Sequence, residues 1–334
     1  MVAGTAFEFD FQQYTATRRA LVETKLREYL SPDDPKLLWE SMRYSVLSGG
    51  KRIRALLCIA SAEAILETSG SSLSAIDFVL PCACSIELIH AMSLIHDDLP
   101  VMDNDDYRRG KPTNHKVYGE AMALLAGDAL LAMASEILIT KSSVEIDPYI
   151  LLNVSAELTR ASGAAGMVGG QVADMLSTGQ IVYPSGTTSD GSAITNSNSQ
   201  SDSSDKSEEL EMIHKRKTGA LIEFAAWSGA RLVGATQQQL KLLGFYGETL
   251  GLAFQVADDL LDVTGDIKTL GKTPGKDEAS GKLTYVKVHG LEKSKETLRG
   301  LEQQGKQALR QLELSQKASA PLTALLEYAI RRSN

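Results

Sequence analysis

A chain of 334 residues that is 43% hydrophobic and 23% charged can bury a sizeable core, which excludes wholesale disorder. Its 42 acidic residues outnumber 34 basic ones, for a formal net charge of −8, so it lacks the basic surplus that a nucleic-acid-binding face needs. Three cysteines, Cys58, Cys82 and Cys84, are too few for a disulfide framework and lack zinc-ligand spacing; they read as small buried residues of a reduced, intracellular chain.

The N-terminal stretch MVAGTAFEFDFQQYT has neither the charged-then-apolar order of a secretory signal nor the acid-poor composition of a transit peptide, and the expected location is cytoplasmic. Apolar residues then recur at three- and four-residue spacing over 17–30, 36–48, 52–68, 74–99, 117–139, 147–178, 207–230, 236–263 and 291–332, which predicts helices there. Ser31-Pro32, Gly70, Pro100 and Gly265 are the expected helix stops. Alternating β-branched runs are nearly absent, so the expected fold is all-α, with roughly ten helices packed as one large bundle. The longest apolar stretch, 121–139, is broken by Asp128 and Glu136, and no stretch is expected to reach membrane-spanning length. Residues 183–206, YPSGTTSDGSAITNSNSQSDSSDK, offer too little apolar area to offset the entropy of ordering them; they read as a disordered surface loop within a single domain over 1–334.

Two aspartate clusters carry the chemistry. The first is DDLPVMD, with Asp97, Asp98 and Asp103 followed by Asp105 and Asp106; the second is DDLLD, with Asp258, Asp259 and Asp262. Asp258 and Asp262, four apart, share a helix face, whereas Pro100 ends the first helix so that Asp103 returns from a loop. Two carboxylates about 4 Å apart repel by roughly 4 kcal/mol at an effective dielectric near 20, and a cation normally offsets that. Hard oxygen donors select magnesium, which shares its shell with phosphate oxygens. Both clusters end apolar segments, which argues against simple solvated helix ends. Basic residues suited to phosphate accompany them: Gly49-Gly50-Lys51-Arg52-Ile53-Arg54, Arg108-Arg109, Lys217-Thr218-Gly219, and Lys272 and Lys282 beyond the second cluster. Aspartates, magnesium and Arg/Lys together spell a pyrophosphate site.

GGKRIR, DDLPVMDNDDYRRGKPTNHKVYGE, GGQVADM, KTGALIE, FQVADDLLDVTG and GKTPGKD stand in one order and spacing. On these six motifs the chain, from about residue 15 to 330, resembles the trans-isoprenyl diphosphate synthases, nearest to the plant and cyanobacterial geranylgeranyl diphosphate synthase type. The resemblance implies an all-α bundle around a central cavity, a magnesium-dependent prenyltransferase of isoprenoid and carotenoid biosynthesis, and a homodimer. It implies that Asp97, Asp103 and Asp258 bind magnesium, with Asp98, Asp259 and Asp262 completing the motifs, and that catalysis depends on Asp97, Asp103, Lys217 and Asp258. Arg108, Lys217, Thr218, Gln255 and Lys272 match contacts to an allylic diphosphate; Lys51, Arg54, His90 and Arg109 match an isopentenyl diphosphate site; Gln171 and Asp174 match an inner-wall motif. His90 is two helical turns before Asp97, on the same face.

The same resemblance puts chain-length control at Met92 and Ser93, a pair associated with twenty-carbon products. Helix phase supports Ser93, about 40° round from Asp97, better than Met92, about 140° round. The alternatives are a farnesyl diphosphate synthase or a non-catalytic subunit of a heteromeric synthase. Loss of one aspartate motif would be expected in such a subunit, and both are intact. The CxxxC motifs that resemble a heteromer-forming module are absent, since CIASA keeps only Cys58. A terpene cyclase would replace DDLLD with an NSE-type motif, and a di-iron bundle would need a second copy of Glu87-Leu88-Ile89-His90.

Overall fold

The computed structural model describes residues 8–182, 203–264 and 283–331. Among them the only strands are a two-residue pair, and helices supply the rest of the regular structure, as expected for an all-α chain. The residues group into two compact units. One comprises Met1–Thr159, Leu221–Gly247 and Lys306–Leu325; the other comprises Arg160–Ala220, Glu248–Gly305 and Leu326–Asn334.

The first unit opens with α1 (Phe11–Tyr29), whose start is fixed by the Asp10 carboxylate accepting the Gln13 N–H at 2.9 Å. Then come α2 (Lys36–Val46), α3 (Ile53–Thr68) and α4 (Ala75–Asp97). Gly70 takes a left-handed φ of 64° just past α3, as its predicted stop requires. Helix α4 is apolar all round and packs against α3 and α6 (Glu120–Lys141), so it is the core helix of the unit. A hairpin, β1 (Tyr107–Arg108) with β2 (Lys111–Pro112), and the short α5 (Asn114–Tyr118) link α4 to α6. Helix α7 (Pro148–Ser162) follows. Cys58, Cys82 and Cys84 are free thiols with no exposure to solvent.

The second unit holds α8 (Met167–Ser177), α9 (Ser203–His214) and a π turn (Lys215–Gly219); α10 (Ala220–Leu232), which continues the chain, belongs from Leu221 onward to the first unit. Helix α11 (Gln237–Thr264) carries the second aspartate motif in its part from Glu248, which lies in the second unit, as do α12 (Tyr285–His289) and α13 (Leu291–Gln311) as far as Gly305; the end of α13 and most of α14 (Gln316–Arg331) belong to the first unit.

Several expectations are corrected. The run 147–178 is two helices, because the Gly166 N–H bonds the Gly163 carbonyl at 3.0 Å and a Cβ at Gly166 would meet the Ala161 carbonyl oxygen at 2.1 Å. The run 291–332 is also two, broken where Glu313 takes a φ of 52° and the Ser315 hydroxyl accepts the Ala318 N–H at 3.1 Å. The first motif's helix ends at Asp97, ahead of Pro100. Of the serine-rich stretch 183–206, the residues from Ser203 begin α9, while 183–202 lie outside the described residues, as does Gly265. Two helices, α4 and α6, are long and apolar enough to cross a membrane by length and composition, contrary to the expectation that no stretch is. The apolar window is 78% buried within α4 and 44% buried within α6.

Candidate active site

The first unit builds its site on the end of α4. The Asp103 N–H donates to the Asp97 carbonyl at 2.8 Å and the Asn104 N–H to the Leu99 carbonyl at 3.1 Å. These bonds fold the loop back so that Asp103 returns beside Asp97, and both residues are half-buried. Asp98 is turned inward and is 3% exposed. Its carboxylate accepts both Nε of Arg108, at 2.8 and 3.0 Å, and Nη2 at 2.6 Å. Burial pushes the Asp98 carboxyl above the usual range and the Arg108 guanidinium opposes it.

The hairpin beyond it turns on Arg109 and Gly110, with φ of 54° and 74°, both in the left-handed region that a tight two-residue turn demands. That turn sends Arg109 back to the GGKRIR segment. Its Nη1 donates to the Gly49 carbonyl and to the Ser48 hydroxyl, and its guanidinium lies only 3.1 Å from where a Cβ on Gly50 would stand. The missing side chain of Gly50 leaves room for the arginine. Arg52 in the same segment serves the core: 4% exposed, it donates to Glu23 at 2.7 Å and Glu87 at 3.2 Å. Arg54 is half-buried and Lys51 is exposed.

His90, Asp98, Arg108 and Arg109 line one pocket with Tyr44, Ser45, Ser48 and Arg52. Burial holds the His90 imidazole well below its usual range, reinforced by Arg54, Arg109, Arg52 and Arg108. At neutral pH His90 is a neutral hydrogen-bonding group among four guanidinium groups, and this pocket suits a multiply charged anion. Sequence reading missed Asn114, whose amide donates to the Ser41 carbonyl at 2.9 Å and the Ser45 hydroxyl at 2.8 Å, tying the loop beyond the motif to α2. Its only signal was its place at the start of a short helix. Met92 is buried in the core of this unit, and the Ser93 hydroxyl bonds back to the His90 carbonyl at 3.0 Å.

In the second unit α8 and the π turn meet without a side chain between them. A Cβ on Gly170 would lie 2.2 Å from the Lys217 nitrogen and 2.6 Å from its Cα, so Gly170 of GGQVADM is the contact itself. The Lys217 ammonium then reaches Asp174 at 2.5 Å. A single π turn inside a helix is rare and concentrates at functional sites; here it carries Lys217 and Thr218. His214, directly before it, is 7% exposed and stacks on the Tyr285 ring at 5.6 Å. Gln171, Gln255 and Asp258 are half-buried, and Asp262 is buried. Asp259, 6% exposed, accepts the Tyr285 N–H at 2.7 Å. Lys272 and Lys282 lie outside the described residues.

Among the described residues, no three His, Cys, Asp or Glu side chains form a cage that could hold a metal alone. That donor set fits magnesium in its usual mode, bound by one or two carboxylates and completed by waters and substrate phosphate. Within the first unit, Asp97 and the Asp103 that returns beside it are carboxylates of that kind.

The Polyprenyl synthetase family pattern matches residues 35–320. The chain is 43% identical over 328 residues to Geranylgeranyl pyrophosphate synthase 12, chloroplastic, of Arabidopsis thaliana, covering 98% of this chain and 83% of that one. It is 42% identical over 330 residues to a Dimethylallyltranstransferase of Fischerella ambigua, covering 99% and 86%. Its fold superposes on the crystal structure of geranylgeranyl pyrophosphate synthetase from Pyrococcus horikoshii with a TM-score of 0.78 at 28% identity, over 96% and 97% of the two chains.

Proposed function

The chain belongs to the polyprenyl synthetase family, and from that premise we propose that it condenses isopentenyl diphosphate with allylic diphosphates to make geranylgeranyl diphosphate. The observation that carries the reading is the pocket at the end of α4, where neutral His90, Arg108 and Arg109 gather beside the Asp97–Asp103 loop. Lys51, Arg54, His90 and Arg109 bind the diphosphate of isopentenyl diphosphate. Arg108, Lys217, Thr218 and Gln255 bind that of the allylic substrate, with Lys272 and Lys282 as further cations, and Gln171 and Asp174 line the inner wall near the diphosphate, where Asp174 holds Lys217. Magnesium, when bound to the motif aspartates, neutralises the departing diphosphate and makes it a better leaving group. The arginines and Lys217 stabilise the negative charge that grows as the allylic C–O bond breaks, and an allylic cation results. The isopentenyl double bond attacks that cation, and the proton lost from the adduct passes to the released diphosphate.

Ser93 and Met92, on α4 before the motif, set the length at which the growing chain stops. The homodimer is proposed to form through the outer face of α6, where Leu124, Leu125, Leu131 and Ile139 are exposed. The chloroplastic Arabidopsis relative makes the plastid, as well as the cytoplasm, a compartment to examine by fractionation.

Metal removal tests the reading. Dialysis against EDTA should abolish turnover and added magnesium should restore it, while Asp97→Ala should lower turnover by orders of magnitude with an unchanged circular dichroism spectrum. Full activity without any divalent cation would sink the assignment.

A further inference from the structure

GGKRIR reads as a phosphate segment throughout, yet one of its arginines is spent on protein. Arg52 forms part of the pocket wall at the end of α4, but Nε, Nη1 and Nη2 of its guanidinium each donate to a protein oxygen. Nε donates to Glu23 of α1 at 2.7 Å, Nη1 to Glu87 of α4 at 3.2 Å, and Nη2 to the carbonyl of Val46, the last residue of α2, at 2.5 Å. Its own backbone is the N-cap of α3, so a single residue joins α1, α2, α3 and α4. Burial opposes the charge on Arg52, and Glu87 and Glu23 more than restore it.

Arg52 closes the loop 47–51 at both ends, because its guanidinium holds the end of α2 while its backbone starts α3. This is the loop to which Arg109 donates, at Ser48 and Gly49, and its last residue is Lys51. Arg52 takes a φ of 53° and makes no side-chain bond to the first turn of α3. A Ser or Asp at the N-cap would accept an N–H of that turn. Here Glu87 does so from the neighbouring helix: its Oε1 accepts the Ala55 N–H at 3.2 Å while its Oε2 takes Arg52. The helix dipole favours a carboxylate in that place. Glu87 stands one turn before His90 on α4, and Ala55 directly follows Arg54 on α3. The two oxygens of Glu87 thereby set the start of α3, with Arg54, against the face of α4 that carries His90.

Resting on the function proposed above, we propose that Arg52 and Glu87 are positioning residues for isopentenyl diphosphate. They act through Lys51, Arg54, His90 and Arg109, whose spacing around the diphosphate they fix by holding the loop 47–51 and the start of α3 against α4. The side chains of Arg52 and Glu87 are each 2% exposed. A left-handed φ on a residue that carries a Cβ is strained, and it persists where surrounding bonds over-determine it. None of the residues assigned to the allylic diphosphate belongs to this network, so its loss separates the two substrates.

The test is steady-state kinetics of Arg52→Gln and Glu87→Gln, with each substrate varied in turn. Both variants should raise the KM for isopentenyl diphosphate about tenfold and keep kcat and the allylic KM within about twofold of wild type. Glu87→Gln should add nothing to Arg52→Gln, since both break the same network. Losing one partner also leaves a buried charge uncompensated and lowers stability, so two controls separate position from stability. Arg52→Met combined with Glu87→Leu removes both charges; it should fold even where the single variants do not, and it should keep the raised KM. Leu322→Ala opens a cavity at a fully buried position of α14 and should lower Tm while leaving both KM values unchanged. Hydrogen exchange reads the same placement without turnover. The amides of Ala55 and Leu56, bonded to Glu87 and to the Arg52 carbonyl, should exchange about tenfold faster in the Met/Leu double variant than in Leu322→Ala. An unchanged KM for isopentenyl diphosphate, equal rises in both KM values, or unchanged exchange at Ala55 would each overturn the proposal. Absence of prenyl product from the wild type would refute the function instead, while exchange at Ala55 still reads the positioning.

Discussion

His214 shows how much one buried side chain can report about this protein. Burial lowers its pKa from 6.5 to about 4; Lys217 adds to that and Asp174 works against it. In the unfolded chain the imidazole takes up a proton below about pH 6.5, and in the folded chain it does not until about pH 4. Between those limits the unfolded state binds more protons, so falling pH erodes stability; above about pH 7 the group contributes nothing to the pH dependence. At pH 5 the loss is on the order of 1–2 kcal/mol. Urea denaturation at pH 7 and pH 5 should therefore show a smaller acid-induced drop in His214→Asn than in wild type. An identical drop in both would mean that His214 is protonated in the fold. At this scale the sequence was informative about residue type and blind to direction. Arg52 and Arg54, two apart in GGKRIR, differ in that Arg52 is locked between Glu23 and Glu87 inside the core, and nothing in the local sequence announces those partners.

Helices were legible where apolar spacing was regular and a stop was chemical. Gly70 ended α3 as its lack of a Cβ predicts, and the Pro100 region did return Asp103 to Asp97, though through backbone hydrogen bonds that began three residues earlier than the proline. The breaks at 163–166 and near Glu313 were not legible, because GAAG and a lone glutamate leave the apolar spacing on either side intact. The π turn was hidden as well: nothing in KRKTG interrupts the helical pattern, and the close approach of α8 at Gly170 to Lys217 is a contact between segments far apart in sequence. Helix α4 carries the element-scale prediction. If its Met92–Ser93 step limits the growing chain, Met92→Tyr should shift the main product from twenty to fifteen carbons. Overpacking typically costs about 1–3 kcal/mol, enough to change a product ratio by roughly tenfold. Ser93→Phe tests the position that helix phase favours. Chromatography of dephosphorylated products at equal conversion reads both, and unchanged product length in both variants would move the control point elsewhere.

At the scale of the whole chain, the all-α class followed from the near absence of strand pattern, and the order of six motifs carried the family. The unevenness of α6 did not follow from composition, because its apolar residues run all round while only one side meets α4 and α2. Its exposed Leu124, Leu125, Leu131 and Ile139 form the face proposed to pair with a second copy. Leu125→Glu should convert a dimer in sedimentation velocity to a monomer, since a charge would be buried against an apolar partner; a dimer of unchanged stability would place the interface elsewhere.

Every part of the account converges on one product. Purified protein incubated with magnesium, labelled isopentenyl diphosphate and, in turn, dimethylallyl, geranyl and farnesyl diphosphate should yield geranylgeranyl diphosphate as its main product from each primer. Accumulation of farnesyl diphosphate with none of the twenty-carbon product, or no condensation with any primer, would contradict it.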